Sequence, residues 1–318
     1  MTSQVNAESA LPDRQVLIAF LFFVLSAGGA SIAIRVTYGE MAPFWSATAR
    51  FGLAAIAFWI LVLIKRLPLP RGRALLGAII FGVLTVGLAF ILIGWGLVAT
   101  PASTYQVLMA LVPLFTLFLS ALQGLESIHR KGLIGSLLAV VGIAFTVGGG
   151  SATGLSLPHI AAILLAAVCI AEGGVLIKKF PPNPPIMTNA IGMSAGTIIL
   201  AAASLLAGET WNIPTQTDTW IAFTYLVVIV TVVTFLLYMF VLSKWTASGT
   251  SYGFVLIPLV TMVLAATLVG EQITINFLVG AALVLSGVFI GALLPSRTHS
   301  EAVEECKDRA GQTLPRCT

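Results

Sequence analysis

Glu172 is the one carboxylate that falls well inside an apolar run of this chain. An ionised group at that depth in a membrane costs at least ~2.5 kcal/mol unless it is paired or hydrated. Its helical neighbours Val168, Cys169, Val175 and Leu176 offer no partner. It therefore reads as facing a water-filled cavity, or as protonated. Three roles are open: a substrate-amine or proton site, a structural hydrogen bond, or snorkelling to the nearer surface. Arg50, two turns below the opposite surface, is the second charged candidate. A guanidinium there can anchor an anion or carboxylate, or serve structurally by bonding loop carbonyls or Glu271; the structural role is the preferred reading. Pro113 and Pro258 each remove a backbone hydrogen bond and kink their helices, which makes them gating candidates. Gln106 and Ser251 each lie seven residues before their proline and share its face; Tyr105 and Tyr252 adjoin them. Aromatic rings with a few hydroxyls suit a small amphipathic solute. The same aromatics could instead anchor helix ends at a membrane interface.

The elements that must position these groups are membrane helices. The chain is 58% apolar and only 9% charged, with a mean hydropathy of +1.04, far too little charge for a water-soluble surface of this size. Ten apolar runs of roughly 20 residues, the length a helical bilayer span needs, lie near 15–36, 44–65, 73–97, 103–122, 129–148, 158–178, 186–206, 220–242, 250–270 and 274–294. They are continuous and do not alternate as barrel strands do. The expected fold is an all-α membrane protein with ten transmembrane helices. His129, His159 and His299 fall in loops or the tail, so no metal site or cofactor is expected. No phosphate-binding loop is present, which argues against an ATP-driven pump.

The second half repeats the first at an offset of 145 residues. Pro113 falls on Pro258, Glu126 on Glu271, Gly135 on Gly280, Gly142 on Gly287, and Ala102-Ser103 on Ala247-Ser248. Proline and glycine fix backbone geometry, so their shared register implies a shared fold. Units at 15–148 and 158–294 are expected, joined by a linker at 149–157 and flanked by cytoplasmic tails at 1–14 and 295–318, the latter disordered in this reading. With both termini in the cytoplasm, every Lys and Arg except Arg35 and Arg50 lies on the inner side. Five helices per unit is an odd number, so the second unit enters from the opposite face. Two inverted five-helix repeats then enclose one central cavity. The net charge of +4 reflects this topology and anionic lipid, not nucleic acid.

In each half, an Ala-Ser pair precedes a mid-helix proline, a glutamate follows thirteen residues later, and a glycine-rich helix closes the unit; upstream stand Pro43 and Arg50-Phe51. This resembles the drug/metabolite transporter superfamily, in its ten-helix EamA-type branch. The resemblance covers about 15–294 and is closest to bacterial exporters of amino acids. It implies that helices one, three, four, six, eight and nine line the cavity, which adds Ser26, Trp95 and Tyr238 to the candidates. That the pattern carries Arg50 across unlike substrates favours its structural role. The expected function is secondary export of small metabolites, amino acids including aromatic ones, across a bacterial inner membrane by alternating access. Protons are a candidate coupling ion, the lipid bilayer is the surrounding partner, and a monomer suffices. Export of cationic drugs or other metabolites, and a channel, are the alternatives.

Overall fold

The computed structural model describes residues 13–124, 130–148, 156–245, 250, 253–270 and 273–290. Among the described residues the fold is all-helical, with no strand. The helical segments are α1 (Arg14–Thr37), α2 (Pro43–Ile64), α3 (Arg73–Val98), α4 (Ala102–Leu122), α6 (Leu157–Ile177), α7 (Pro185–Leu206) and α8 (Thr217–Lys244), with α5 (Arg130–Gly148), α9 (Gly253–Leu264) and α10 (Ile275–Val288). Seven of them, α1–α4 and α6–α8, are long and apolar enough to cross a membrane. Large apolar side chains are displayed outward, Phe22 at 61% and Leu63 at 73% exposure. Such a surface is stable only against lipid.

The interior divides into a centre and two flanks. The centre is built from α1, α3, α4, α6 and α8, through residues such as Ile34, Ile93, Leu108, Ile163 and Leu226. One flank packs α2 and α3 against α7 through Phe51, Phe58, Met187 and Met193. The other packs α4, α5, α9 and α10 through Val107, Ala139, Val255 and Val284.

Glycine lets backbones approach where no side chain fits. A Cβ at Gly142 of α5 would lie 2.6 Å from the Val284 amide of α10, and one at Gly287 would lie 2.5 Å from the Gly135 carbonyl. In α3, a Cβ at Gly82 would run into the Gly192 carbonyl of α7, and Gly196 seats the Val86 side chain. The Gly192/Gly196 motif is thus a contact surface for α3.

Two helices widen at corresponding places. α3 is π-helical over Val83–Leu88, and α8 over Leu226–Val233, close to the offset of the repeat. α1 and α4 are interrupted, at Gly29 and at Ala110–Leu111. Pro113 opens the second piece of α4, whereas Pro258 sits inside an unbroken helix.

The two ends of the bundle carry matching ties. Arg35, at the end of α1, donates to the carbonyls of Leu97 (3.3 Å) and Thr100 (2.5 Å) beyond α3. Lys178, just after α6, donates to the carbonyls of Leu242 and Trp245 (3.0 Å) beyond α8. A cation satisfies orphan carbonyls and the negative pole of a helix C-terminus. Leu97 and Leu242, and Thr100 and Trp245, stand 145 residues apart, the offset of the repeat. The start of α6 lies beside the end of α3, where Trp95 stacks on His159 at 4.5 Å, so the two ties sit at opposite ends of the bundle.

Gly82→Ala should destabilise the protein by about 1–3 kcal/mol, because the methyl meets backbone that cannot rotate aside. Gly52→Ala, whose Cβ would meet only Thr197 Cγ2 at 3.5 Å, should be close to neutral. Thermal unfolding of the two variants in detergent checks the difference.

Candidate functional site

The residues facing the centre recur at helical spacing on three segments. On α1 they are Phe23, Ala27, Ala30 and Ile34; on α8, Val230, Thr234, Phe235 and Tyr238; on α4, Tyr105, Gln106 and Met109. Each set forms one stripe along its helix. With Arg50 from α2, Thr85, Phe90 and Ile93 from α3, Ile170 from α6 and Phe254 and Ile257 from α9, they enclose a cavity of about 110 Å³. That volume holds several waters but is smaller than the ~300–1,000 Å³ of a site open for a drug-sized ligand.

The cavity is graded along its length. At one end Arg50 is buried to 3% exposure. Its guanidinium carbon lies 4.6 Å from the centroid of Phe51 and 4.9 Å from that of Phe90. Tyr38 and Tyr105 are its electrostatic neighbours. Its Nε has no hydrogen-bond partner. Toward the other end, the rings of Phe23, Tyr238 and Phe254 form a mutual cluster with centroids 5.7–6.4 Å apart. Thr85, whose hydroxyl is buried without a partner, sits between.

Polar contacts tie the helices together at both ends of the bundle. At the Arg35 end, Glu209 accepts from the first-turn amides of α2, Phe44 N at 3.0 Å and Trp45 N at 2.7 Å. Glu40 accepts from the Thr215 and Gln216 amides at the start of α8, at 3.1 and 3.0 Å. Carboxylates at helix N-termini complement the positive pole. The Thr215 hydroxyl and these amide bonds hold the Glu40 carboxyl low, at about 2. Trp45 and Trp211 stack across the same seam at 4.4 Å. At the Lys178 end, Asn183 donates to the Ala74 carbonyl at 2.8 Å, and burial draws the Lys178 ammonium below its usual range.

The candidates named from the sequence separate into groups. Arg50, Tyr105, Gln106 and Tyr238 line the cavity together. Ser26 stands one layer behind; its hydroxyl lies 2.7 Å from that of Thr234, which does line it. Trp95 is 45% exposed and stacked on His159, away from the cavity. Ser251 and Tyr252 lie outside the described residues, as do Glu126 and Glu271.

Glu172 has the partner its own helix could not supply. Gln123, at the end of α4, donates through Nε2 to both carboxylate oxygens, at 3.0 and 2.8 Å. The pair ties α4 to α6 and is absent from the cavity wall. Of the three roles left open by the sequence, the hydrogen bond is the one whose partner is seen, and that partner comes from another helix 49 residues earlier. Arg50 is likewise held by two rings, not by loop carbonyls.

Residues 14–148 and 157–292 each match the EamA-like transporter family. The chain belongs to this family. Its relatives include the inner membrane transporter YedA of Escherichia coli, 28% identical over 78% of this chain and 80% of YedA. A probable amino-acid metabolite efflux pump of Salmonella typhimurium is 27% identical over 81% and 88% of the two chains. A probable terminal-alkyne amino-acid exporter of Streptantibioticus cattleyicolor is 25% identical over 86% and 91%. A solved crystal structure shares the fold, with a TM-score of 0.67 at 18% identity over 88% of this chain and 98% of its own. The protein is a multi-pass membrane transporter.

Glu172→Gln should leave ligand affinity unchanged and lower stability by about 1–3 kcal/mol, the range for a lost charge-assisted hydrogen bond. Ligand titration and thermal unfolding of the variant check both halves. Weakened binding with unchanged stability would return Glu172 to the transport site.

Proposed function

We propose that this EamA-like transporter is a secondary exporter of small organic metabolites, amino acids and their close derivatives, moved by alternating access through the central cavity. The observation that carries the reading is the central cavity itself. It is lined from both halves of the chain, and the two ends of the bundle are tied by interactions that can exchange: helix-cap carboxylates at one, a lysine on helix-end carbonyls at the other. The two family matches and the paired ties of Arg35 and Lys178 support two repeated five-helix units. Their lying at opposite ends supports the inverted arrangement of ten spans, the arrangement from which rocking between two access states follows.

In this reading both termini face the cytoplasm of a bacterial cell, and the Arg35 end faces outward. The break before Pro113 and the backbone hydrogen bond missing at Pro258 are the points at which α4 and α9 flex. The relatives' amino-acid exporter names agree with a cavity that offers a cation at one end and aromatic rings at the other. The buried Arg50 disfavours a cationic drug, since no acid among the described residues lines the cavity to screen the repulsion.

The test is counterflow in proteoliposomes. Vesicles preloaded with unlabelled phenylalanine should accumulate radiolabelled phenylalanine transiently, with saturable kinetics and without ATP. Flux that never saturates and shows no counterflow overshoot is the behaviour of a channel and contradicts the proposal.

A further inference from the structure

Arg50 is a charge at the wall of the central cavity with no ionic partner among the described residues. Among the described residues it makes no ion pair or hydrogen bond, and the faces of Phe51 and Phe90 lie against it. A buried cation held this way is strongly under-solvated. An incoming carboxylate supplies what the wall does not, two acceptor oxygens matched to the guanidinium fork.

An ammonium finds no carboxylate among the described residues of that wall. Of the described acids, Asp13, Glu40, Glu172, Glu209 and Asp218, none lines the cavity. Several carbonyls around it are already used. Thr261 donates to the Gly28 carbonyl at 2.6 Å, Tyr225 to that of Ser26 at 2.8 Å, and Thr234 to that of Ile229 at 2.9 Å. The neutral Gln106 amide is the polar group nearest in character to an ammonium acceptor, and it serves a second carboxylate oxygen equally well.

We infer that the cavity reads a carboxylate through Arg50 and an aromatic or branched apolar tail through the Phe23–Tyr238–Phe254 cluster, and does not read an α-amine. Its preferred ligands are amino-acid-derived carboxylates whose amine is absent or neutralised, such as 2-oxo, deaminated or N-acylated acids. The inference rests on the transporter reading of the cavity and narrows its substrate class. A zwitterion must bring an ammonium into an apolar space beside a fixed cation. The deaminated acid keeps the favourable half of the interaction and loses the unfavourable one.

The experiment compares 3-phenylpropionate, phenylalanine and phenethylamine, which share one ring and differ only in their charged groups. Affinity is measured by titration calorimetry on the purified full-length protein, and flux in proteoliposomes. For the wild type, 3-phenylpropionate should bind at least tenfold tighter than phenylalanine, and phenethylamine should not bind measurably. Arg50→Gln should lose 3-phenylpropionate binding at least tenfold, and Arg50→Lys should recover part of it. The wild-type series needs no variant, so it stands even if Arg50→Gln fails to fold. Phenylalanine or phenethylamine binding tighter than the deaminated acid overturns the inference while leaving transport intact. The expected order of affinities without counterflow of any compound supports the carboxylate site and removes the transporter reading.

Discussion

The arrangement depends on one buried cation. Arg50 sits at the edge of a cavity in the middle of an apolar bundle, with two aromatic faces as its compensation. Cation–π contacts contribute roughly 2 kcal/mol when desolvated, against a desolvation penalty of several kcal/mol for a buried ion. A protein retains such an imbalance where a ligand or water corrects it. The rest of the fold makes the imbalance possible. α2 is locked onto α7, the glycine contacts between α3 and α7 bring backbones together around it, and α4 places Tyr105 and Gln106 across from it.

The ends of the bundle are held by contacts that can exchange. Glu209 and Glu40 each bind the N-terminus of a helix other than the one they precede, so the turn after α1 and the turn after α7 hold one another. At the far end Lys178 holds the end of α8 as Arg35 holds the end of α3. These are polar contacts at helix termini, cheap to exchange with water, whereas the α5–α10 and α3–α7 seams are backbone-to-backbone and are not. The chemistry of the contacts thus divides the molecule into parts that stay together and places where it can open.

Much of this is legible in the sequence because it depends on periodicity. The apolar runs fix the helices, and the shared register of Pro113 with Pro258 and Gly142 with Gly287 marks the duplication. Tyr105, Gln106 and Tyr238 stand out by their place beside a proline or on a lining helix. The Phe23–Ala27–Ala30–Ile34 stripe has the same regular spacing but does not stand out, because phenylalanine in an apolar run carries no contrast. Contacts across helices are what a sequence does not display. Glu172 looks unpaired because Gln123 lies on another helix, and Arg50 invites pairing with loop carbonyls when two neighbouring rings hold it. Trp95 belongs to a lining helix but sits on its outer face, since one-residue rotations decide that face and an all-apolar helix gives no polar side to fix it.

The most direct test of the central claim is chemical protection of Arg50. The full-length protein in lipid nanodiscs is treated with phenylglyoxal, which modifies accessible guanidinium groups, and each arginine is read out by peptide mass spectrometry with and without 3-phenylpropionate. The account predicts that Arg50 is modified in the free protein and protected by the acid, while Arg71 and Arg73 at the bundle surface react equally in both conditions. Modification of Arg50 that is unaffected by saturating acid, or an Arg50 that never reacts, would contradict a guanidinium held open for a carboxylate.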